Sequence, residues 1–462
     1  MQQPIDPNIF RAYDIRGIVD VSLTEATVEQ IGMAVAQQSL QAGVATVALG
    51  RDGRLSGPRL MAALERGIRA AGAEVIDVGM VPTPLLYFTA QRYAGGSGIM
   101  LTGSHNPPEY NGCKIMVAGN TLAGDEITAL HAQISAGMAV ADQPGNSQRQ
   151  EVIDDYLAEV ERLNTLQRPL RVVVDYGNGA AGAVGPALLQ RLGVDAINLY
   201  AEVDGHFPNH HPDPSKPENL AELCAVMLRE NAPLGLAFDG DGDRLGVIAA
   251  RHGQTEIIWA DRIMQLLAED VLQQQPGSNI VFDVKCSGRL AQRIAELGGH
   301  PIMSRTGHSL IKRAMREHHA PLAGEMSGHF FFGKPWYGFD DALFAAARLL
   351  CILSRVDDPA ALLHAIPTGI STPELNIATA EGENHAIIEL LQQHAEFPEA
   401  TLNTIDGVRA DYANGWGLIR ASNTTPVLVL RFEADTEAAL ARIQQQFRQQ
   451  LRRHAPQLQL TF

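Results

Sequence analysis

Apolar and polar positions along this chain fall into blocks, and three of the blocks repeat one order. Each runs from an apolar strand through a glycine-containing polar turn and a helix to glycine and a second strand. The first has a strand at 44–49, a turn at 50–54, a helix over about 60–71, then Gly72 and a strand at 75–78. The second has a strand at 170–174, a turn at 175–179, a helix reaching Leu192, then Gly193 and a strand at 196–200. The third has a strand at 280–284, a turn at 285–288, a helix reaching Leu297, then Gly298 and a strand at 302–304. Strand–helix–strand order predicts right-handed crossover units whose sheets are covered on both faces. The pattern therefore predicts three related α/β domains.

The C-terminal part reads differently. Helical periodicity over 385–394 precedes a short strand at 401–405 and an Asn414-Gly415 turn. A strand at 427–432 then leads to a helix with Leu440, Ile443, Phe447 and Leu451 on one face. That is a smaller α+β unit. Helical periodicity lapses into Gly, Pro and polar residues at 144–150, 251–255 and 367–374, which read as linkers. The expected domains are 1–149, 150–253, 254–367 and 368–462.

Length and composition fit this division. A chain of 462 residues suggests about three domains, with four inside the tolerance of that prior. At 45% hydrophobic residues there is ample core. Cys113, Cys224, Cys286 and Cys351 are scattered without metal-type spacing, which fits reduced thiols and a cytoplasmic home. The opening residues lack a charged-then-apolar signal pattern, and no run reaches about 18 apolar residues. A net charge of −16 argues against nucleic acid or an anionic membrane as partner. An anionic substrate would require the 36 Lys and Arg to be gathered locally.

The chemistry concentrates first in F-D-G-D-G-D-R at 238–244, directly after the apolar run 234–238. Same-side residues of a straight strand lie about 6.6 Å apart, too far for three carboxylates to share one small ion. Gly240 and Gly242 should let the backbone curl. Carboxylates gathered this way repel by about 4 kcal/mol per pair at 4 Å near a surface. Arg244 offsets part of that, so Asp239, Asp241 and Asp243 suit a hard divalent cation. The competing reading is a solvated acidic turn.

Three further segments carry polar chemistry. T-G-S-H-N-P at 102–107 follows an apolar strand at 99–101 and presents Ser104 on a tight loop, with His105 beside it and Lys114 further on. It is not G-x-S-x-G, so a hydrolase elbow is disfavoured. G-E-M-S-G-H at 324–329 sets Glu325 and Ser327 two apart, facing one way on an extended loop, as a vicinal diol would require. R-A-S-N-T-T at 420–425 offers a guanidinium with hydroxyl and amide donors, which suits a phosphate. Taken singly, each could be an ordinary polar loop. G-N-G-A-A-G at 177–182 matches a dinucleotide fingerprint, with Glu202 near the expected ribose position. Asp175 at the mouth of that turn would oppose a pyrophosphate, so close packing explains the glycines better.

In this order, the four motifs resemble those of the α-D-phosphohexomutase superfamily. The opening F-R-A-Y-D-I-R-G at 10–17 is most similar to its bacterial phosphomannomutase/phosphoglucomutase branch. The resemblance implies three related α/β domains with mixed sheets plus a C-terminal α+β helix–sheet domain, arranged around a central cleft. It implies a phosphohexomutase interconverting the 1- and 6-phosphates of mannose and glucose through a phosphoserine and a 1,6-bisphosphate intermediate. Ser104 would carry the phosphate, and Ser104, Asp239, Asp241 and Asp243 would hold Mg²⁺. Arg16, Lys114 and Arg244 would steady the transferring phosphoryl group, with Lys114 and His308 as candidate proton carriers. Arg420, Ser422, Asn423 and Thr424 would grip the unreactive phosphate. Glu325 and Ser327 would read the C3 and C4 hydroxyls, and Tyr13, Lys285 and His329 would also contact substrate. Glucose 1,6-bisphosphate is the implied activator, a small phosphosugar the partner, and a cytoplasmic monomer the expected state.

Two enzymatic alternatives stand beside this. A phosphoglucosamine mutase usually has Gln where Met326 stands. An aspartate-nucleophile phosphatase would match D-x-D, but Asp243 occupies its Thr/Val position. A calcium-binding hand fails, because Arg244 and Ala250 stand where Gly and Glu are needed.

Overall fold

The repeated pattern folds into crossover units. Strand Thr46–Arg51 is followed by helix Gly57–Ala70 and strand Glu74–Met80, and the two strands run parallel with Val47 opposite Val75. Strands Arg171–Asp175 and Asp195–Leu199 are parallel neighbours across helix Gly185–Arg191. Strands Asn279–Asp283 and His300–Ser304 are parallel neighbours across helix Gly288–Glu296. In each case the apolar residues of the first strand and of one helix face are buried, while Asp195–Leu199 and His300–Ser304, at sheet edges, are only partly so. The computed structural model describes residues 5–423, 425–460 and 462.

The chain divides into two compact units, Met1–Ala260 with Ser327–Ala365, and Asp261–Met326 with Ile366–Phe462. In the first, one sheet runs in the order Ile15–Ile18, Tyr110–Val117, Gly98–Leu101, Thr46–Arg51, Glu74–Met80, Ser147–Arg149. Strand Tyr110–Val117 is antiparallel to both of its neighbours in that order, so the sheet is mixed. A five-stranded sheet follows, in the order Gln254–Ile258, Leu245–Arg251, Leu234–Phe238, Arg171–Asp175, Asp195–Leu199. The second unit holds the parallel strands His300–Ser304, Asn279–Asp283 and Leu322–Gly324. It also holds an antiparallel sheet built around Val427–Ala434 and Gly415–Ala421, with a core shared by helices Glu383–His394 and Glu437–His454. No helix among the described residues is long and apolar enough to cross a membrane.

All three segments expected as linkers contribute to sheets. Within 367–374, Ile370–Ser371 pairs antiparallel with Val427–Ala434. Ser147–Arg149 adds a parallel edge strand beside Glu74–Met80. Arg251 pairs with Gln254 across a two-residue hairpin turn in which His252 and Gly253 have φ of 53° and 76°. Polar composition concealed them, because short edge strands and a hairpin tip face water.

The segment 327–365 is tied to the rest of the first unit through a buried carboxyl. Tyr156, on helix Ile153–Leu163, reaches both oxygens of Asp341 at 2.9 and 3.0 Å. Asp341 Oδ1 also accepts the Phe344 N–H at 2.9 Å, capping helix Ala342–Leu353. Burial pushes the Asp341 pKa up from 3.8 to about 7, against the pull of these hydrogen bonds. A raised carboxyl pKa means the folded state holds a proton that the unfolded chain releases near pH 4. Its stabilising contribution is therefore complete below pH 4 and is lost as pH rises through about 7. Asp341→Asn should abolish this part of the pH dependence. Denaturant unfolding at several pH values should show the variant gaining stability relative to the parent between pH 4 and 7. Parallel pH profiles would refute the assignment.

Candidate active site

Ser104 sits where two parallel strands end. Gly98–Leu101 runs straight into its loop, and Thr46–Arg51 beside it runs into Asp52. The Asp52 carboxylate accepts the Thr102 hydroxyl at 2.8 Å and the Gly103 N–H at 3.1 Å through Oδ2, and the Arg54 N–H at 3.0 Å through Oδ1. The Ser104 N–H donates to Thr102 Oγ1 at 2.8 Å, and Ser104 takes a left-handed φ of 48°. Its hydroxyl lies 3.2 Å from Asp239 Oδ2 and 3.2 Å from His105 Nδ1. Burial, with the charges of Arg244 and Arg16, holds the His105 pKa well below its ordinary value, so this imidazole is neutral at neutral pH.

The acidic loop joins the central strand Leu234–Phe238 to its antiparallel neighbour, with Phe238 opposite Leu245. Asp239 Oδ1 accepts three backbone N–H groups, from Gly242, Asp243 and Arg244, at 3.0–3.1 Å. That curls the loop and leaves Oδ2 for Ser104. Gly242 is left-handed at φ 75°, as curling requires. Gly240 has a different duty from the one expected: a Cβ there would stand 2.4 Å from the Ser104 carbonyl oxygen. Its missing side chain lets the two loops touch.

Asp239, Asp241 and Asp243 each offer an oxygen, all within 4.8 Å of one another and all buried. Lys114 Nζ donates to Asp241 Oδ2 at 2.7 Å and to Asp243 Oδ2. Thr83 Oγ1 donates to the same Asp241 oxygen at 2.5 Å. Among the described residues, buried Asp241 Oδ1 has no hydrogen-bond partner. A bare buried carboxylate oxygen beside two further carboxylates is a fitting ligand set for a small hard cation. Burial, then the charges of Asp243 and Asp241, holds Asp239 well above the usual carboxylate range. Asp243 lies well below it, because Lys114 and His329 overcome burial. Burial alone would lower the Lys114 pKa, but Asp241 and Asp243 more than reverse it. Lys114 is thus a fixed positive charge.

Two arginines of this unit, Arg16 and Arg244, lie close to the same loops. Arg16 pairs with Asp14 and donates to the Thr102 carbonyl at 3.1 Å. Arg16 stands opposite Gly112, and Lys114 is two residues further along that strand, so both arise from one sheet face. Arg244 Nε lies 3.3 Å from His329 Nε2, which lies 3.3 Å from Asp243 Oδ1. Ser327 Oγ meets His329 Nδ1 at 2.8 Å. Tyr13 is half-buried on the bend before strand Ile15–Ile18.

The second unit gathers the other candidates. Glu325 Oε1 accepts the Gly307 N–H at 2.6 Å, at the start of helix His308–Glu317, where His308 is buried. Asp406 Oδ2 accepts both the Thr306 N–H at 2.9 Å and Arg420 Nε–H at 3.1 Å, so the His308 loop and the Arg420 strand share one anchor. Lys285 Nζ reaches Glu374 at 3.2 Å. Asn384 holds the Ser422 carbonyl at 3.1 Å, and half-buried Asn423 follows it. Thr424 lies outside the described residues.

The dinucleotide-like loop has another use. Ala180 N–H donates to the Gly240 carbonyl at 2.9 Å, and a Cβ on Gly179 would meet the Asp239 and Gly240 carbonyls at 2.9 Å. Its glycines back the acidic loop. His210 Nε2 reaches Asp175 Oδ2 at 2.9 Å, which occupies that carboxylate. Sequence reasoning passed over Asp52, Arg54, Thr83 and Asp406, and left His105 without a role. Asp52 and Arg54 had a visible signal, a charged pair on a tight turn at a strand end; Thr83 and Asp406 had none.

Comparison with known proteins gives the same account of the chain. It matches phosphoglucomutase/phosphomannomutase alpha/beta/alpha domain I over residues 7–140, domain II over 154–253 and domain III over 259–368. The C-terminal domain of that family matches over 374–450. A phosphomannomutase/phosphoglucomutase of Pseudomonas aeruginosa is 54% identical over 446 residues, 96% of each chain. A phosphoglucomutase of Neisseria gonorrhoeae is 52% identical over 447 residues, again 96% of each. The crystal structure of a phosphoglucomutase/phosphomannomutase family protein from Burkholderia thailandensis has a TM-score of 0.93 at 47% identity, covering 99% of this chain and 100% of that one. The chain belongs to the phosphoglucomutase/phosphomannomutase family and has its four-domain α/β fold with mixed sheets.

The electrostatics of the acidic loop are testable. Lys114→Met should destabilise the metal-free protein by about 3–5 kcal/mol, the cost of stranding buried partner charges. A divalent cation should then stabilise the variant more than the parent, read by denaturant unfolding with and without chelator. Equal stabilisation of both would show that Lys114 does not neutralise this cluster.

Proposed function

We propose that this protein is a phosphohexomutase, an intramolecular phosphotransferase interconverting the 1- and 6-phosphates of glucose and mannose. The observation that carries the reading is the Ser104 hydroxyl 3.2 Å from Asp239 Oδ2, across 135 residues of chain, in front of a buried triad of carboxylates. Family membership over all four segments supports the same reaction class. The proposed domains are 1–149, 150–253, 254–367 and 368–462.

In the forward direction a phosphoryl group on Ser104 Oγ passes to sugar O6. The Oγ–P bond breaks, the P–O6 bond forms, and the O6 proton leaves to a base. After the bisphosphate turns over in the site, the O1–P bond breaks, the phosphoryl returns to Oγ, and sugar O1 regains a proton. Asp239, Asp241 and Asp243, with a phosphoserine oxygen, would hold Mg²⁺. The ion would supply positive charge to the phosphoryl oxygens as they transfer. Arg16 and Arg244 add charge at the same place, and Lys114, held protonated, acts as a third cation. That leaves His308 as the better proton carrier of the two candidates.

Arg420, Ser422, Asn423 and Thr424 would grip the unreactive phosphate. Glu325 and Ser327 would read the C3 and C4 hydroxyls, with Tyr13, Lys285 and His329 also on the substrate. Glucose and mannose differ only at C2, so such a site accepts both. Glucose 1,6-bisphosphate would recharge Ser104 whenever its phosphate is lost, and the proposed state is a cytoplasmic monomer. Ser104→Ala should remove nearly all turnover of glucose 1-phosphate and mannose 1-phosphate while the circular dichroism spectrum is unchanged. Intact-mass measurement should find one phosphoryl group on the parent and none on the variant. A parent that carries no phosphate and ignores glucose 1,6-bisphosphate would sink the reading.

A further inference from the structure

One arginine makes contacts that suit neither substrate binding nor surface charge. Arg54 is fully buried on the turn that follows strand Thr46–Arg51, and its guanidinium has five N–H donors. All five are used inside the protein. Nε donates to Asp52 Oδ2 at 3.2 Å, Nη1 to the carbonyls of Pro107 at 2.6 Å and Tyr110 at 2.9 Å, and Nη2 to those of Ser104 at 2.9 Å and Asn106 at 2.6 Å. No donor remains for a phosphate. A Cβ on Gly103 would stand 2.1 Å from Arg54 Cζ, so the glycine before the serine is what lets the loop lie on the guanidinium. On the other side Arg54 Cζ lies 5.4 Å from the centre of the Phe207 ring.

We infer that Arg54, seated by Asp52, is the positioning residue for the Ser104 loop: it holds the serine in its left-handed conformation and turns four loop carbonyls away from the phosphate. The second effect is electrostatic. Carbonyl oxygens are the negative ends of peptide dipoles, and a loop that carries a phosphoryl group is favoured when those ends face a cation instead. The first is conformational. A serine at φ 48° is costly by about 1–2 kcal/mol and persists only where its surroundings over-determine it. Five hydrogen bonds from one rigid, planar group do so; a lysine ammonium, with three donors on a flexible stem, could not reach every acceptor. Because Arg54 touches no substrate, its loss should change how fast phosphate moves and not how tightly sugar binds.

This inference rests on the reading of Ser104 as phosphate carrier, and the experiment separates the two. Arg54→Ala in the full-length protein should lower kcat by about a hundredfold, the scale of a misplaced reacting group, with KM little changed. Phosphorylation of Ser104 by glucose 1,6-bisphosphate, followed by intact mass, should slow in step. The emptied space keeps four carbonyls and the Asp52 carboxylate, so millimolar guanidinium should restore part of kcat while ammonium and urea do not. Should Arg54→Ala fail to fold, Asp52→Asn takes its place. An amide cannot accept at both oxygen positions, so kcat should fall at constant KM. Full phosphorylation rates in the variants, a KM change as large as the kcat change, or no rescue by guanidinium in a folded Arg54→Ala would overturn the positioning role alone. Phosphate absent from the parent, with turnover surviving in Ser104→Ala, would instead overturn the reading beneath it.

Discussion

Three carboxylates buried within 4.8 Å of one another cannot all stay charged unless positive charge is brought to them. The first unit is organised by that requirement. Lys114 reaches Asp241 across 127 residues of chain, and three backbone N–H groups close on one oxygen of Asp239. The N–H groups belong to the loop itself, but the lysine does not. The lysine comes from a strand of the first sheet and the acidic loop from the hairpin end of the second, so the packing of the two sheets sets the charge balance. Among the described residues the Asp241 Oδ1 oxygen stays without a hydrogen-bond partner, while the Asp239 oxygen facing Ser104 is met by that hydroxyl and by Arg244 Nε at 3.9 Å.

Bringing Ser104 to that point demands close backbone approach, and the loops meet it by omission. Gly103 lies on a guanidinium and Gly240 abuts the Ser104 carbonyl; a methyl group at either position would overlap its neighbour. The loops lie at the carboxyl ends of parallel strands, where open α/β sheets generally place their ligands. Rigid strands thus fix the loop roots, and the missing side chains fix how near the tips can come.

Much of this was legible in the chain. The three strand–turn–helix–strand repeats could be read from periodicity because each crossover unit buries a local apolar face. The four polar motifs could be read because each is short and contiguous. Other features were concealed by their composition. The edge strand Ser147–Arg149 and the His252-Gly253 hairpin look like polar linkers because their side chains meet water. The G-N-G-A-A-G loop matches a dinucleotide fingerprint because close packing and dinucleotide binding ask for the same glycines. By composition Arg54 is one more charge on a turn; only the wrapping of residues 104–110 around it makes it the centre of that loop.

Local covalent order determined which residue types stand together: the aspartates with their glycines, the serine with its histidine, the arginine with its hydroxyls. It also determined the crossover units, because hydrophobic periodicity is a property of neighbours in sequence. The fold alone decided which of these groups are neutralised, which carboxylate oxygens are hydrogen-bonded and which cation is spent on backbone carbonyls. Those are properties of burial and of distances near 3 Å between segments far apart in the chain, where desolvation and Coulomb energy, set by tertiary contact, outweigh anything adjacency can supply.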